Sequence, residues 1–285
     1  MLFIIGVLIV LGSIIGGYLM EHGNLHVLFQ PAEVVIIIGA AAGSLVISCP
    51  PKIMKNIVKA LPTLFAGGAK KKDYIDLLML LNVIFSKIRV DGAISIEGDI
   101  ENPTKSPLFA NYKSVLANHH AVAFICDNLR VFITIGMEAH EFDHLMEVDM
   151  EAHHHEELGP SQAIGKMADA LPGLGIVAAV LGVVITMGKI SEPPEVLGHS
   201  IGAALVGTFL GVLSCYGFVG PISQNLEHRA NEANVYLAVI RTTLVSFISN
   251  SVPQIAVEAG RRAIPGKNRP SFQELEEELK KVRKK

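Results

Sequence analysis

Four stretches of this chain carry no Asp, Glu, Lys or Arg: Leu2 to Met20, Val34 to Pro51, Ala170 to Gly188 and Val196 to Leu226. A helix rises about 1.5 Å per residue and the hydrocarbon layer of a bilayer is about 30 Å thick, so roughly 20 apolar residues suffice to cross it. Each stretch is long enough, the second only if it stands nearly upright. A soluble core seldom keeps four such stretches free of charge. The chain therefore reads as an all-α polytopic membrane protein with four transmembrane helices. The first stretch lacks a basic start and a small-residue cleavage pattern before Glu21, so it reads as a permanent span rather than a signal peptide.

Basic residues fix the expected orientation. The loops Glu21 to Glu33 and Ile190 to Glu195 hold no Lys or Arg, whereas twelve lie between Pro50 and Lys166 and eleven between Arg229 and Lys285. The positive-inside rule puts the rich segments in the cytoplasm. Both termini then face inward. The expected division is residues 1–49 (spans one and two with a short periplasmic loop), 50–169 (a helical cytoplasmic domain), 170–221 (spans three and four) and 222–285 (a helical cytoplasmic tail). Cys49, Cys126 and Cys215 are odd in number and widely spaced, which fits neither a disulfide framework nor a CxxC metal site.

Within the spans, glycines recur four residues apart: Gly12 with Gly16, Gly39 with Gly43, and Gly207 with Gly211. That spacing lets a second backbone approach closely, either within the chain or between subunits. In the polar insert, Leu77, Leu78, Leu81, Ile84, Phe85 and Ile88 predict a helix that stops at Asp91-Gly92. A long helix is expected from about Ser114 to Glu157, closed by Gly159-Pro160, and breaks are expected at Pro253 and Pro265-Gly266. Ser271 and Glu274 have the spacing of a capping box opening a final helix, acidic first and basic last.

The most conspicuous chemical motif is His140-Glu141-Phe142-Asp143-His144, which matches the zinc-binding H-E-x-x-H. A zinc peptidase also needs a third ligand and shielding from bulk water. The downstream segment Leu145 to Met150 lacks the extended pattern, and Glu138, Asp143, Glu147, Asp149, Glu151 and His153 to His155 crowd the motif with polar groups. That composition describes a solvated helix face. A membrane metalloprotease and incidental metal binding by the histidines stay open as alternatives. No Walker loop, G-x-S-x-G or dinucleotide fingerprint occurs. Neither an enzyme activity, nor a bound cofactor or metal, nor a nucleic-acid partner is expected.

Several segments resemble a known family. Gly12-Ser13-Ile14-Ile15-Gly16-Gly17-Tyr18-Leu19-Met20, Gln30-Pro31-Ala32-Glu33, Gly98-Asp99-Ile100-Glu101-Asn102-Pro103 and Ala168-Asp169-Ala170-Leu171-Pro172 come in order along the chain. Gly175 to Gly182, Val206 to Gly211, Tyr216 to Pro221 and Arg269-Pro270-Ser271-Phe272 follow. Together they resemble MotA, the flagellar motor stator family, within the wider MotA/TolQ/ExbB group of ion-driven energisers. The resemblance implies a homo-oligomeric ring, pentameric by analogy with related motors, around a MotB-like single-span partner. It also implies flow of protons or sodium ions that turns the complex against a FliG-like rotor switch protein. An ExbB/TolQ-type energiser of envelope transport is the nearest alternative.

The resemblance assigns roles to particular residues. Arg89 and Glu97 match the family's rotor-contacting charges, and Pro172 and Pro221 its motor prolines, which would couple ion binding to movement of the cytoplasmic part. Thr208, and more weakly Thr186, match positions lining the ion path; each hydroxyl could equally bond the preceding turn of its own helix. The spans themselves read as free of ionisable groups, with Glu33 and Asp169 at the ends of runs and His199 at the entrance of the fourth. Since an ion path needs such a group, the carboxylate is expected on the partner, as an Asp, and the chain alone is expected to conduct nothing.

Overall fold

In the computed structural model, residues 2–65 and 67–283 are described, and they are helical without a strand. The helices are α1 (Leu2–Met20), α2 (Leu25–Leu28), α3 (Pro31–Ser48), α4 (Pro51–Ala60), α5 (Lys71–Asp91), α6 (Glu97–Glu101) and α7 (Pro107–Ala110). They continue as α8 (Lys113–Leu116), α9 (His119–Ile135), α10 (Ala139–Met187), α11 (Pro194–Leu213), α12 (Gly220–Ile248), α13 (Pro253–Ala263) and α14 (Phe272–Arg283). Two compact units form, one from residues 1–66 and 157–229, the other from 67–156 and 230–285. The long helices α10 and α12 supply residues to both.

The first unit holds the apolar spans. Four of its helical stretches are long and apolar enough to cross a membrane. Its buried clusters are small: Ile37, Ala41, Ala168, Leu171, Ala178 and Cys215 in one, and Ile57, Leu64, Ala163, Ile164 and Leu226 in the other. Not one residue of α1 is buried within the chain, while Leu8, Ile9, Val35, Ile185 and Leu205 are exposed. That inside-out distribution suits a lipid or subunit environment, where apolar surface needs no burial from water.

The second unit has an ordinary aqueous core. The expected stripe on α5 is buried, with Leu77, Leu78, Leu81 and Phe85 fully inaccessible, and Phe85 stacks on Phe247 with ring centroids 4.1 Å apart. Gly92, at φ +84°, ends α5 where a side chain would be strained. The capping box also forms: Ser271 Oγ accepts from the Glu274 amide at 3.1 Å and Glu274 Oε2 accepts from the Ser271 amide at 2.6 Å. Lys284 and Lys285, at the basic end of that helix, lie outside the described residues.

Two expected helix boundaries are wrong. The stretch from Ser114 to Glu157 is not one helix, because Asn118 caps α9 through its side-chain oxygen on the Ala121 amide, and Gly136 ends α9 in the left-handed conformation. Pro160, conversely, does not close anything; α10 runs through both Pro160 and Pro172 to Met187. An interior proline costs about 3 kcal/mol. Here Pro160 is buried, Ser161 O accepts from Ser223 Oγ at 2.8 Å, and Ala163 and Ile164 pack on Ile57 and Leu226, which offsets that cost.

Candidate functional site

The third and fourth spans, the apolar part of α10 and α11, meet backbone to backbone. A methyl group at Gly211 would lie 2.6 Å from Leu171 O and 2.8 Å from Gly175 Cα, and one at Gly175 would lie 2.8 Å from Gly207 O. The Gly207/Gly211 pair therefore serves packing within the chain. A methyl group added at Gly12, Gly16, Gly39 or Gly43 would meet nothing among the described residues within 4 Å, so their faces are open to lipid or another chain.

Glu33 corrects the expectation that the spans carry no ionisable group. It is the third residue of α3, only 8% exposed, and its carboxylate lies in a cradle of glycines from the other two helices. A methyl group at Gly207 would sit 2.7 Å from Glu33 Oε2, and one at Gly182 3.5 Å from Glu33 Oε1. Oε2 is fully inaccessible and has no hydrogen-bond partner among the described residues. A glutamate at this helical position often folds back to cap its own helix. Pro31 has no amide to offer, the Gln30 amide is taken by Leu28 O, and no side-chain cap bond forms at this end of α3. Counting uncharged runs locates Glu33 at a boundary but cannot show that its side chain turns inward.

Thr186 is buried one turn along from Gly182, and its hydroxyl donates to Gly182 O at 2.8 Å, the bond to its own helix weighed from sequence. Thr208 is half-buried beside Gly207. Pro172 is half-buried within α10, next to the Leu171 carbonyl that a methyl group at Gly211 would meet. Lacking an amide hydrogen, it cannot donate to Ala168 O. Pro221 follows a π-helical segment, Ser214–Val219, in which the Gly220 amide reaches Cys215 O. Such bulges widen the helix by one residue and relieve the clash that a following proline ring would cause. The π segment has no single-residue signature in the sequence, although Gly217, Gly220 and Pro221 mark its place.

The charges assigned to rotor contact lie in the second unit. Arg89, exposed at the end of α5, donates through Nη2 to Asn250 O at 3.0 Å and Ser251 O at 3.1 Å. Asn250 is left-handed, at φ +66°, so Arg89 clamps the turn that ends α12. Glu97 is exposed at the start of α6. That short helix is pinned by Asp99, which accepts from Lys87 Nζ at 2.8 Å and Ser106 Oγ at 2.6 Å. Val90 and Ile94, 83% and 74% exposed, flank the intervening turn. Sequence reasoning missed Lys87, Asp99 and Ser106 as supports, and Val90 and Ile94 as an apolar surface.

Residues 4–92 match the family Motility protein A N-terminal, and residues 116–238 match the MotA/TolQ/ExbB proton channel family. The chain is 43% identical to Motility protein A of Escherichia coli over 99% of its own length and 96% of that protein. The chain belongs to the motility protein A family. It is also 37% identical to Chemotaxis protein LafT of Vibrio parahaemolyticus, over 96% of this chain and 97% of that one. Its fold is that of a subunit in the C. jejuni MotAB structure (TM-score 0.77, 19% identity, 95% of this chain and 98% of that chain). The flagellar MotAB stator complex from Bacillus subtilis is similar too (TM-score 0.75, 21% identity, 95% and 99% covered).

Family membership and the four candidate spans make this a multi-pass membrane protein. The H-E-x-x-H stretch lies in the first turns of α10 in the second unit. His140 and His144 have side chains 76% and 78% exposed and lie beside the carboxylates of Glu138 and Glu147. Among the described residues no third metal ligand joins them. Deeper in that unit, the side chain of Arg261, with Arg262 beside it, holds the Glu258 carboxyl down at about 2, and burial pushes the Cys126 thiol up to about 12.

Proposed function

We propose that this chain is the ring-forming subunit of a flagellar stator, which couples ion flow across the inner membrane to torque on the rotor. The observation that carries the reading is the match to motility protein A along nearly the whole chain. The N-terminal motility protein A match over residues 4–92 favours a stator over an ExbB/TolQ-type energiser, since only the match over 116–238 is shared with that wider group. The solvent exposure of both imidazoles in the H-E-x-x-H stretch speaks against a zinc peptidase.

The translocated ion is a proton, in keeping with the proton channel family. Basic residues on the insert and tail support cytoplasmic termini. The open faces of α1 and α3, with Gly12, Gly16, Gly39 and Gly43, are where neighbouring subunits of a pentameric ring and a MotB-like single-span partner pack. A membrane Asp of that partner binds the ion beside Thr186 and Thr208. Its change of charge is passed along α10 and α11 through Pro172 and the π segment before Pro221, where the helices lack part of their internal bonding. One charge crossing 100 mV supplies about 2.3 kcal/mol, enough to bias a discrete step.

Torque reaches a FliG-like rotor protein through the turn between α5 and α6. Glu97 and Arg89, with the exposed apolar Val90 and Ile94 between them, combine charges that set register with a surface that can be gripped and released. Expression in a paralysed strain lacking its own stator subunit tests the reading. Swimming is expected with a MotB-like partner and is abolished when the partner's membrane Asp becomes Asn. Restored envelope transport without motility would instead identify an ExbB/TolQ-type energiser.

A further inference from the structure

Glu33 has no part in the mechanism above, yet its surroundings give it no structural task. Its Oε2 is inaccessible and has no hydrogen-bond partner among the described residues, the side chain caps no helix, and Gly207 leaves room that a methyl group would take from it. The position is set by where it meets the other two helices. Gly182 lies five residues, about 7 Å, before the end of α10 at Met187, and Gly207 lies thirteen residues, about 20 Å, after the start of α11 at Pro194. Around the positions that a methyl group would take at Gly182 and Gly207, the nearest atoms besides the Glu33 carboxylate come from Ala204, Ala178 and Ala179.

The titratable groups on and beside the packed helices are Asp169 within α10, Lys189 just after it, Glu195 and His199 in the first turns of α11, and His26 on α2, which also packs on α11. A carboxylate kept charged here without a cation would lose much of its solvation. The first turn of α3 offsets part of that through its amide dipoles.

We propose that Glu33 is a second proton-binding group of the ion path, contributed by this chain rather than by its partner. A proton entering from the periplasm converts the Glu33 carboxylate to the neutral acid in the glycine cradle. It then leaves Glu33 as a carboxylate again and passes on, through water, toward the partner's Asp. The proposal rests on the stator reading and adds a station to it. Gly207 is part of the device, because a methyl group there would stand 2.7 Å from Glu33 Oε2, in the space that the carboxyl needs.

The test uses the intact complex with its partner, reconstituted in vesicles under an imposed pH gradient. Flux that stops in the partner's Asp→Asn form establishes the stator reading itself, independently of Glu33. On that background, native complex is treated with dicyclohexylcarbodiimide, which modifies protonated carboxyls in apolar surroundings, and the modified residues are identified by mass spectrometry. Labelling at Glu33 that falls as pH rises is expected. Glu33→Gln is expected to assemble to wild-type levels yet lower proton flux about a hundredfold, with partial recovery in Glu33→Asp. An unlabelled Glu33 across the pH range, or wild-type flux in an assembled Glu33→Gln complex, would overturn the proposal. So would protection of Glu33 by sodium at fixed pH, which would make the bound ion a metal cation. Should Glu33→Gln not assemble, the labelling of the native complex decides alone.

Discussion

The glycine seam between α10 and α11 makes a sharp prediction through Gly211→Ala. The added methyl group would stand 2.6 Å from Leu171 O and 2.8 Å from Gly175 Cα, both atoms of backbone that no rotamer change can move. The helices must separate by about 1 Å, which forfeits a quarter to a half of each dispersion contact along the seam. Overpacking of this kind costs about 3 kcal/mol at its upper end. Alanine returns about 1 kcal/mol through its better helix propensity, leaving a net loss of about 2 kcal/mol. At about 2–4 °C per kcal/mol, the unfolding midpoint should fall by about 4–8 °C. Gly198→Ala is the matched control, since nothing lies within 4 Å of its added methyl; it should gain the propensity term alone and unfold slightly later. Thermal unfolding of the purified stator complex in detergent, followed by size-exclusion peak loss, reads both variants. If Gly211→Ala unfolds no earlier than Gly198→Ala, the close helix contact is not what holds these two spans together.

Glu97→Lys should leave the unfolding midpoint nearly unchanged, as expected for an exposed side chain, while abolishing swimming; failure of the complex to assemble would place Glu97 in the architecture instead. Arg89→Ala should both impair swimming and destabilise the second unit by about 1 kcal/mol, because the clamp on Asn250 O and Ser251 O is lost; unchanged thermal stability would contradict the clamp. Cys126, 4% exposed and with its thiol pushed up to about 12, should resist a soluble maleimide at neutral pH until the protein is denatured; rapid native labelling would show that the α9 face is not buried. Glu258, held at about 2 in the folded state, lies below its unfolded value near 4.3, so its contribution is complete above that value and lost as pH falls toward about 2. Glu258→Gln should cost roughly 1–2 kcal/mol at neutral pH, after discounting for solvent screening, and flatten the acid limb of a midpoint-against-pH curve. An unaltered acid limb would refute the assignment.

What could be read from the chain divides along a physical line. The four spans, the apolar stripe on α5, its stop at Gly92 and the Ser271–Glu274 capping box are local patterns, each fixed by neighbours in sequence, and the structure has all of them. Features that depend on distant neighbours were not legible. Pro160 looked like a stop because the packing that tolerates it comes from Ile57, Ser223 and Leu226. Gly136 and Asn118 were overlooked as punctuation within a polar stretch whose helical periodicity is otherwise continuous. Glu33 counted as a boundary residue because burial of a side chain is set by the helices it meets, here at Gly182 and Gly207. The clamp that Arg89 forms was not legible either, since the carbonyls it holds lie more than a hundred and fifty residues away.

The most direct test of the stator account is ion flux into vesicles driven by a pH gradient, measured for the chain alone, for the chain with its single-span partner, and for the same complex carrying the partner's Asp→Asn change. The account predicts flux only in the second of these, and swimming in cells only with that same pair. A steady current through the chain by itself, or through the Asp→Asn complex, would contradict it.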